Sequence, residues 1–119
     1  MITKYTYDVE VVSIYDGDTI RVNIDLGFGM KWCGDAGKGV KIRLYGIDTP
    51  EIRGDEREMG LKSKQALIQL LDGKRVVLRT IKDKTGKYGR YLGVLYVLDN
   101  DEWKDINETL ISEGYAKRY

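Results

Sequence analysis

The chain has 119 residues, 42% hydrophobic and 33% charged, with 20 basic and 19 acidic side chains for a net charge of +1. That balance describes one ordinary globular domain over residues 1–119 and excludes a protein that grips nucleic acid by bulk charge alone. A lone cysteine excludes an internal disulfide, and the absence of histidine excludes Ser-His-Asp triads, His-ligated zinc and nucleases with a histidine base. No apolar run reaches membrane-spanning length, and the N-terminal MITKYTYDVE lacks the apolar core of a signal peptide, so the expected location is cytoplasmic.

In chain order, Val9 to Tyr15 is rich in β-branched and apolar residues and reads as a first strand. Asp16-Gly17 is a short hairpin signal. The second strand alternates, with Ile20, Val22, Ile24 and Leu26 on one face and Arg21, Asn23 and Asp25 on the other. The same alternation extends through Phe28, Met30 and Trp32 into a glycine-rich stretch ending at Gly39. A third strand covers Val40 to Gly46. After Pro50, the residues Met59, Ser63, Ala66, Leu67 and Leu70 recur at helical spacing, and Gly73 suits the stop. Fourth and fifth strands follow over Arg75 to Ile81 and Tyr91 to Leu98, separated by the basic loop KDKTGKYGR. Asn100-Asp101 makes a turn. Asp105 with Glu108 three residues later is a capping-box pattern opening a last helix that Gly114 closes, leaving AKRY as a tail. Five short strands and two helices around one core predict an α+β fold, a five-stranded Greek-key β-barrel of the OB type with two packed helices.

Polar groups concentrate at three strand ends: Asp16-Gly17-Asp18-Thr19, Asp48-Thr49-Pro50-Glu51 and Lys87-Tyr88-Gly89-Arg90. Asp18 shares the parity of Ile20, and Asp48 that of Ile42 and Leu44, so both carboxylates are expected to lean inward at one rim of the barrel. Each alone reads as a turn or strand-end residue. As a pair of adjacent carboxylates with Glu51 nearby they favour a hard cation, since calcium takes roughly six to eight oxygens, backbone carbonyls included. Arg43 alone reads as a solvated strand residue and Arg90 as surface. Together they suit a phosphate, which a guanidinium binds through two parallel hydrogen bonds. Glu51 can orient or deprotonate a water, or be only a charge before the helix. The loop from Lys82 to Arg90 sets four cations against one carboxylate, with Tyr88 as a stacking surface. GDAGKG lacks the residues of a phosphate loop, and DNDEW lacks the glycine and glutamate of an EF-hand. Arg53 acquires no role.

The pieces IYDGDTI, RLYGIDTPE, KYGR and NETLISEGYAK, in this order, resemble the staphylococcal nuclease family over nearly all of Val9 to Lys117. The resemblance implies an OB-fold barrel and a calcium-dependent phosphodiesterase acting on DNA and RNA and leaving 3′-phosphate ends. It implies calcium ligands at Asp18, Asp48 and the Thr49 carbonyl, and phosphate-binding arginines at Arg43 and Arg90. It further implies a general base at Glu51, and contacts from Lys87 and Tyr88 to a terminal phosphate. Every catalytic position is filled, which argues against the alternative of a non-catalytic OB-fold module binding nucleic acid or protein. The hairpin over residues 27–39 is longer than in the best-known members. A tyrosine that flanks the nucleotide in the family has no clear match, Tyr119 being the one candidate. The expected substrates are single-stranded or frayed, because an OB rim binds splayed bases. The expected state is a monomer whose hairpin folds back over the barrel, the rival being a dimer through that hairpin.

Overall fold

A computed structural model of the chain describes residues 5–85 and 91–119, the side chains of 82–85 excepted. The elements are β1 (Thr6–Asp16), β2 (Thr19–Gly27), β3 (Met30–Trp32), β4 (Val40–Leu44), β5 (Ile47–Asp48), a 3-10 turn (Gly54–Glu56) and α1 (Arg57–Leu71). After these come β6 (Val76–Thr85), β7 (Tyr91–Asp99), β8 (Glu102–Asp105), α2 (Ile106–Ser112) and β9 (Lys117–Arg118). Strands β1, β2, β4, β7 and β6 pair in that circular order and close into a ring. Every pairing in the ring is antiparallel except that of β4 with β7. This is the five-stranded, OB-like barrel that the sequence predicts, with two helices packed on it. Among the described residues no helix is long and apolar enough to cross a membrane.

The ring closes on the alternating side chains of its central strands. Ile20, Val22 and Ile24 of β2 and Val40, Ile42 and Leu44 of β4 are all buried in one cluster with Leu78 and Leu95. Each such side chain contributes about 1.5–3 kcal/mol on leaving water. Gly93 on β7 lets the walls approach, since a Cβ there would collide with Leu78. Helix α1 turns Ser63, Ala66, Leu67 and Leu71 inward and stops before Gly73 at φ +69°. Helix α2 is capped by Asp105, whose side chain accepts the Glu108 N–H at 3.0 Å. The reciprocal half of the expected capping box is absent, because the Glu108 carboxylate is engaged by Arg118 at 2.9–3.0 Å instead.

Four expectations need correction. The apolar face of β2 does not run on through Phe28. Gly27, Phe28 and Gly29 all adopt positive φ, the chain reverses, and β3 pairs back on β2 with Trp32 opposite Ile24. Trp32 packs against the core and edge-on to Tyr91, whereas Phe28 and Met30 stay exposed. Met59 is exposed, and the inward position beside it on α1 belongs to Gly60. The segment after Gly114 is no free tail, since β9 forms a small second sheet with β5. Finally, Asp48 does not lean into the barrel. Gly46, at φ +78°, breaks the third strand after Leu44, so the parity of β4 does not carry over to β5.

Candidate functional site

The site begins at the turn between β1 and β2. Asp16 Oδ1 accepts the Asp18 N–H at 3.1 Å, and Asp18 Oδ1 accepts the Thr19 hydroxyl at 3.1 Å, so the acidic side chains shape the turn they stand on. Gly17 lies where α1 and the chain after β5 converge. A Cβ there would meet Ser63 Cβ and Thr49 Cγ2 at 2.9 Å, so only glycine lets the turn sit this deep. Asp18 is consequently 4% exposed, as its parity predicts. Its Oδ2 accepts the Thr49 N–H at 3.1 Å and pairs with Arg43 Nη1 at 2.5 Å.

Arg43 stands outward on β4, opposite Thr19 of β2. It is no solvated strand residue: its side chain is 17% exposed. Nη2 donates to the Ile47 carbonyl at 3.2 Å and lies 3.5 Å from Asp48 Oδ1. The guanidinium stacks 5.8 Å from the Tyr119 ring centroid. The Asp48 side chain is 56% exposed. Asp18 and Asp48 thus meet at one rim as strand pairing suggested, with a shared arginine between them rather than side by side in the interior.

Burial disfavours ionising Asp16, and the neighbouring Asp18, a hydrogen-bond and charge partner, adds to the effect, so its carboxyl is pushed up to about 6. Burial would raise Asp18 as well. Hydrogen bonds from Asp16 and Arg43, with the charge of Arg43, outweigh that and hold Asp18 below the usual carboxylate range. For Arg43 burial works against the charge, and Asp18 more than restores it, leaving the guanidinium firmly protonated. The rim therefore carries more negative charge than one arginine neutralises, and below about pH 6 a proton on Asp16 takes up part of the excess.

Among the described residues no group of three or more His, Cys, Asp or Glu is arranged as a metal site. The donors a cation would find are two carboxylates, Asp18 and Asp48, with Thr49 between the elements that carry them. Thr49 Oγ1 is buried and has no hydrogen-bond partner among the described residues. An all-oxygen set with surplus negative charge fits a hard cation of the calcium kind. Glu51 is exposed beyond Pro50, with its N–H donating to Glu56 Oε1 at 3.4 Å. It shares a recess of about 260 Å³ with Asp48 and Thr49, so the structure groups it with the candidate cation side of the rim. Arg90, Lys87 and Tyr88 lie outside the described residues.

Sequence reasoning missed the residues that hold this rim in place. Asn107 of α2 is buried. Its Oδ1 accepts the Leu95 N–H at 3.1 Å, and its Nδ2 donates to the carbonyls of Tyr45 at 2.8 Å and Gly93 at 3.2 Å. It braces the junction between Arg43 and Asp48 from behind. Gly60 abuts the Glu51 backbone, where a Cβ would collide with the Glu51 carbonyl. Asp48 pairs across the small sheet with Lys117, and the Tyr119 N–H donates to Gly46 O at 2.9 Å. A glycine inside an otherwise helical run was the one visible signal, for Gly60. A second depression, of about 460 Å³, is lined by Arg43, Tyr45, Leu92 and Tyr119. Tyr119, the sequence's candidate for a nucleotide-flanking aromatic, is therefore beside the arginine.

A family model described as "Staphylococcal nuclease homologue" matches residues 41–119. An uncharacterized protein of Methanocaldococcus jannaschii is 31% identical over 98% of the chain. Protein ParB of Escherichia coli is 35% identical over 92%. A protein of Escherichia coli O157:H7 named as an uncharacterized endonuclease is 33% identical over 92%. The chain spans 61%, 56% and 59% of the length of these three relatives.

Proposed function

The chain belongs to the staphylococcal nuclease homologue family, and from that premise we propose that it is a calcium-dependent nuclease cleaving internal phosphodiester bonds of DNA and RNA and leaving 3′-phosphate ends. The observation that carries this reading is the Arg43 guanidinium, held at the barrel rim between Asp18 and Asp48 with an aromatic ring beside it. The endonuclease name of the Escherichia coli O157:H7 relative supports internal cleavage.

Asp18, Asp48 and the Thr49 carbonyl would hold calcium, which supplies charge neutralisation at a phosphoryl oxygen and a more acidic bound water. Arg43 offers its planar fork to the oxygens of the same phosphate, where charge grows in the transition state. Arg90 supplies the second guanidinium in this reading. Glu51 takes the proton of the attacking water as that water's oxygen bonds to phosphorus, and the 5′ oxygen takes a proton from solvent as its bond to phosphorus breaks. Tyr119 and Tyr45, around the depression beside Arg43, give a base or sugar an aromatic wall. Lys87 and Tyr88 contact a terminal phosphate. A shallow rim of this kind favours single-stranded or frayed substrates.

The test is digestion of single-stranded DNA and RNA in calcium, magnesium or chelator. Cleavage is expected in calcium, is lost in chelator, and falls by about two to three orders of magnitude in Arg43→Ala and Arg90→Ala. Undiminished cleavage in chelator overturns the calcium role. Binding without cleavage in every cation would leave a nucleic-acid-binding module in place of an enzyme.

A further inference from the structure

A second broad groove, distinct from the site just described, lies on the outer face of the barrel. It has a volume of about 670 Å³ and runs between α1 and the outer face of β1 and β2, with Tyr15, Asp16, Arg21, Lys41 and Lys64 among its walls. We infer that this groove holds the stretch of single-stranded nucleic acid that flanks the scissile phosphate, making a backbone track separate from the Arg43 depression. The proposal deepens the nuclease reading and rests on it for where the scissile phosphate lies.

Strand register places the groove next to the site. Asp16 pairs with Thr19 and Thr19 with Arg43, forming one row across the sheet. Ser13 pairs with Arg21 and Arg21 with Lys41, forming the next outward-facing row. Two residues along a strand span about 6.8 Å, close to one nucleotide step of an extended single strand. A phosphate on Arg43 thus has its neighbour in the chain within reach of Arg21 and Lys41.

Charge points the same way. Arg21 and Lys41 are direct cross-strand partners, and like charges at such positions are destabilising. Among the described residues neither they nor Lys64 form an ion pair, and Arg21 donates only to the Gly39 carbonyl at 3.2 Å. Three cations face one carboxylate, in a protein whose net charge is only +1. A polyanion relieves that local repulsion, whereas a neutral ligand would not. Tyr15 adds an aromatic surface, 51% exposed, whose hydroxyl accepts Arg53 Nη2 at 3.0 Å. Basic side chains interleaved with an exposed aromatic are how a single strand is held without sequence preference. Arg53, which sequence reasoning left without a role, becomes the anchor of that ring.

The test is binding of a fluorescent single strand of about twenty nucleotides, longer than one OB-type site covers, measured in chelator at several salt concentrations. Wild type is compared with Arg21→Gln/Lys41→Gln/Lys64→Gln, and thermal unfolding checks that the variant folds. The double variant Lys41→Gln/Lys64→Gln serves if the triple one does not. The triple variant is expected to bind roughly tenfold more weakly, with a slope of log K against log salt reduced by about 2 for three lost phosphate contacts. In cleavage assays the ratio of KM between a dinucleotide and the long strand narrows accordingly. Equal affinity and equal slope overturn the track. So does an equally strong competitor in blunt duplex or polyglutamate, or a wild type that binds no single strand at low salt. If binding changes as stated but nothing is cleaved in any cation, the track stands and the nuclease reading fails. If cleavage is robust and the slope does not move, the reverse holds.

Discussion

Asp18 and Asp48 flank the same arginine and are held in opposite ways. Asp18 stands on the closed ring, buried under Thr49 and fixed by a turn that only glycine can complete. Asp48 sits half-exposed on a two-residue strand whose only partner strand among the described residues is β9. One half of the rim inherits the rigidity of the barrel, and the other depends on a small annex of two short strands. A site assembled at a barrel rim can thus be tightly held where Arg43 meets the buried Asp18 and loosely held at its outer carboxylate. An exposed, weakly held carboxylate can adapt to a ligand that the buried one cannot follow.

The strongest way to break this contrast is to remove what joins the halves. Asn107→Ala removes the side-chain partner of the Leu95 N–H and of the Tyr45 carbonyl, while the Gly93 carbonyl keeps the Tyr45 N–H at 2.7 Å. It should cost about 3 kcal/mol, read by urea unfolding, with the penalty of unsatisfied buried groups as its cause. An effect confined to the annex would show that Asn107 does not tie it to the barrel. Next is Gly60→Ala. An ordinary helix would gain about 1 kcal/mol from this change, but here the new methyl collides with the Glu51 carbonyl. A net loss of about 1–3 kcal/mol is expected, together with reduced cleavage. A stabilised and fully active variant would refute the claim that α1 positions Glu51.

A smaller effect of opposite sign sharpens the electrostatics of the barrel side. Asp16 titrates near 6 in the folded chain against 3.8 for its ordinary value. The folded state therefore holds a proton that the unfolded chain has released, and stability falls as pH rises between these values. Asp16→Asn keeps the acceptor for the Asp18 N–H and removes the ionisation. In chelator at pH 7 to 8 it should stabilise by on the order of 1 kcal/mol after allowance for solvent screening. The gain should vanish below about pH 4. A pH-independent difference in thermal midpoint would sink the assignment. The smallest effect belongs to the annex. Arg118→Ala removes an exposed pair with Glu108 and should leave global unfolding unmoved. Hydrogen exchange in the short β5–β9 sheet should nevertheless rise several-fold, because that sheet opens locally. Unchanged exchange would mean that the annex does not need the pair.

Much of the barrel was legible from residue order. The alternation in β2 and β4 is strict, and the turn at Asp16-Gly17 and the cap at Asp105 are local chemistry readable within a few residues. The DGDT and DTPE motifs located both acidic corners for the same reason. What failed to read were places where one glycine changes direction. Parity put Asp48 inside the barrel, and a positive φ at Gly46 cancelled it. Alternation put Phe28 on the core face, and three successive positive φ values turned it out to solvent. Asn107 carried no local signal, because its partners lie 12 to 62 residues away.

The sequence by itself determined the class of chemistry. Without histidine, and with carboxylates and arginines at strand ends, it set the expectation of a phosphate and a hard cation as ligands. It also determined the strands from which the ring is built, since period-two alternation is a property of neighbouring residues. Tertiary structure alone decided that Arg43 lies between the two aspartates, that Tyr119 covers it, and that Arg21, Lys41 and Lys64 line one groove. Those facts depend on the relative placement of segments far apart in the chain. Ring closure and the pairing of β5 with β9 bring these segments together, and no local pattern encodes that placement.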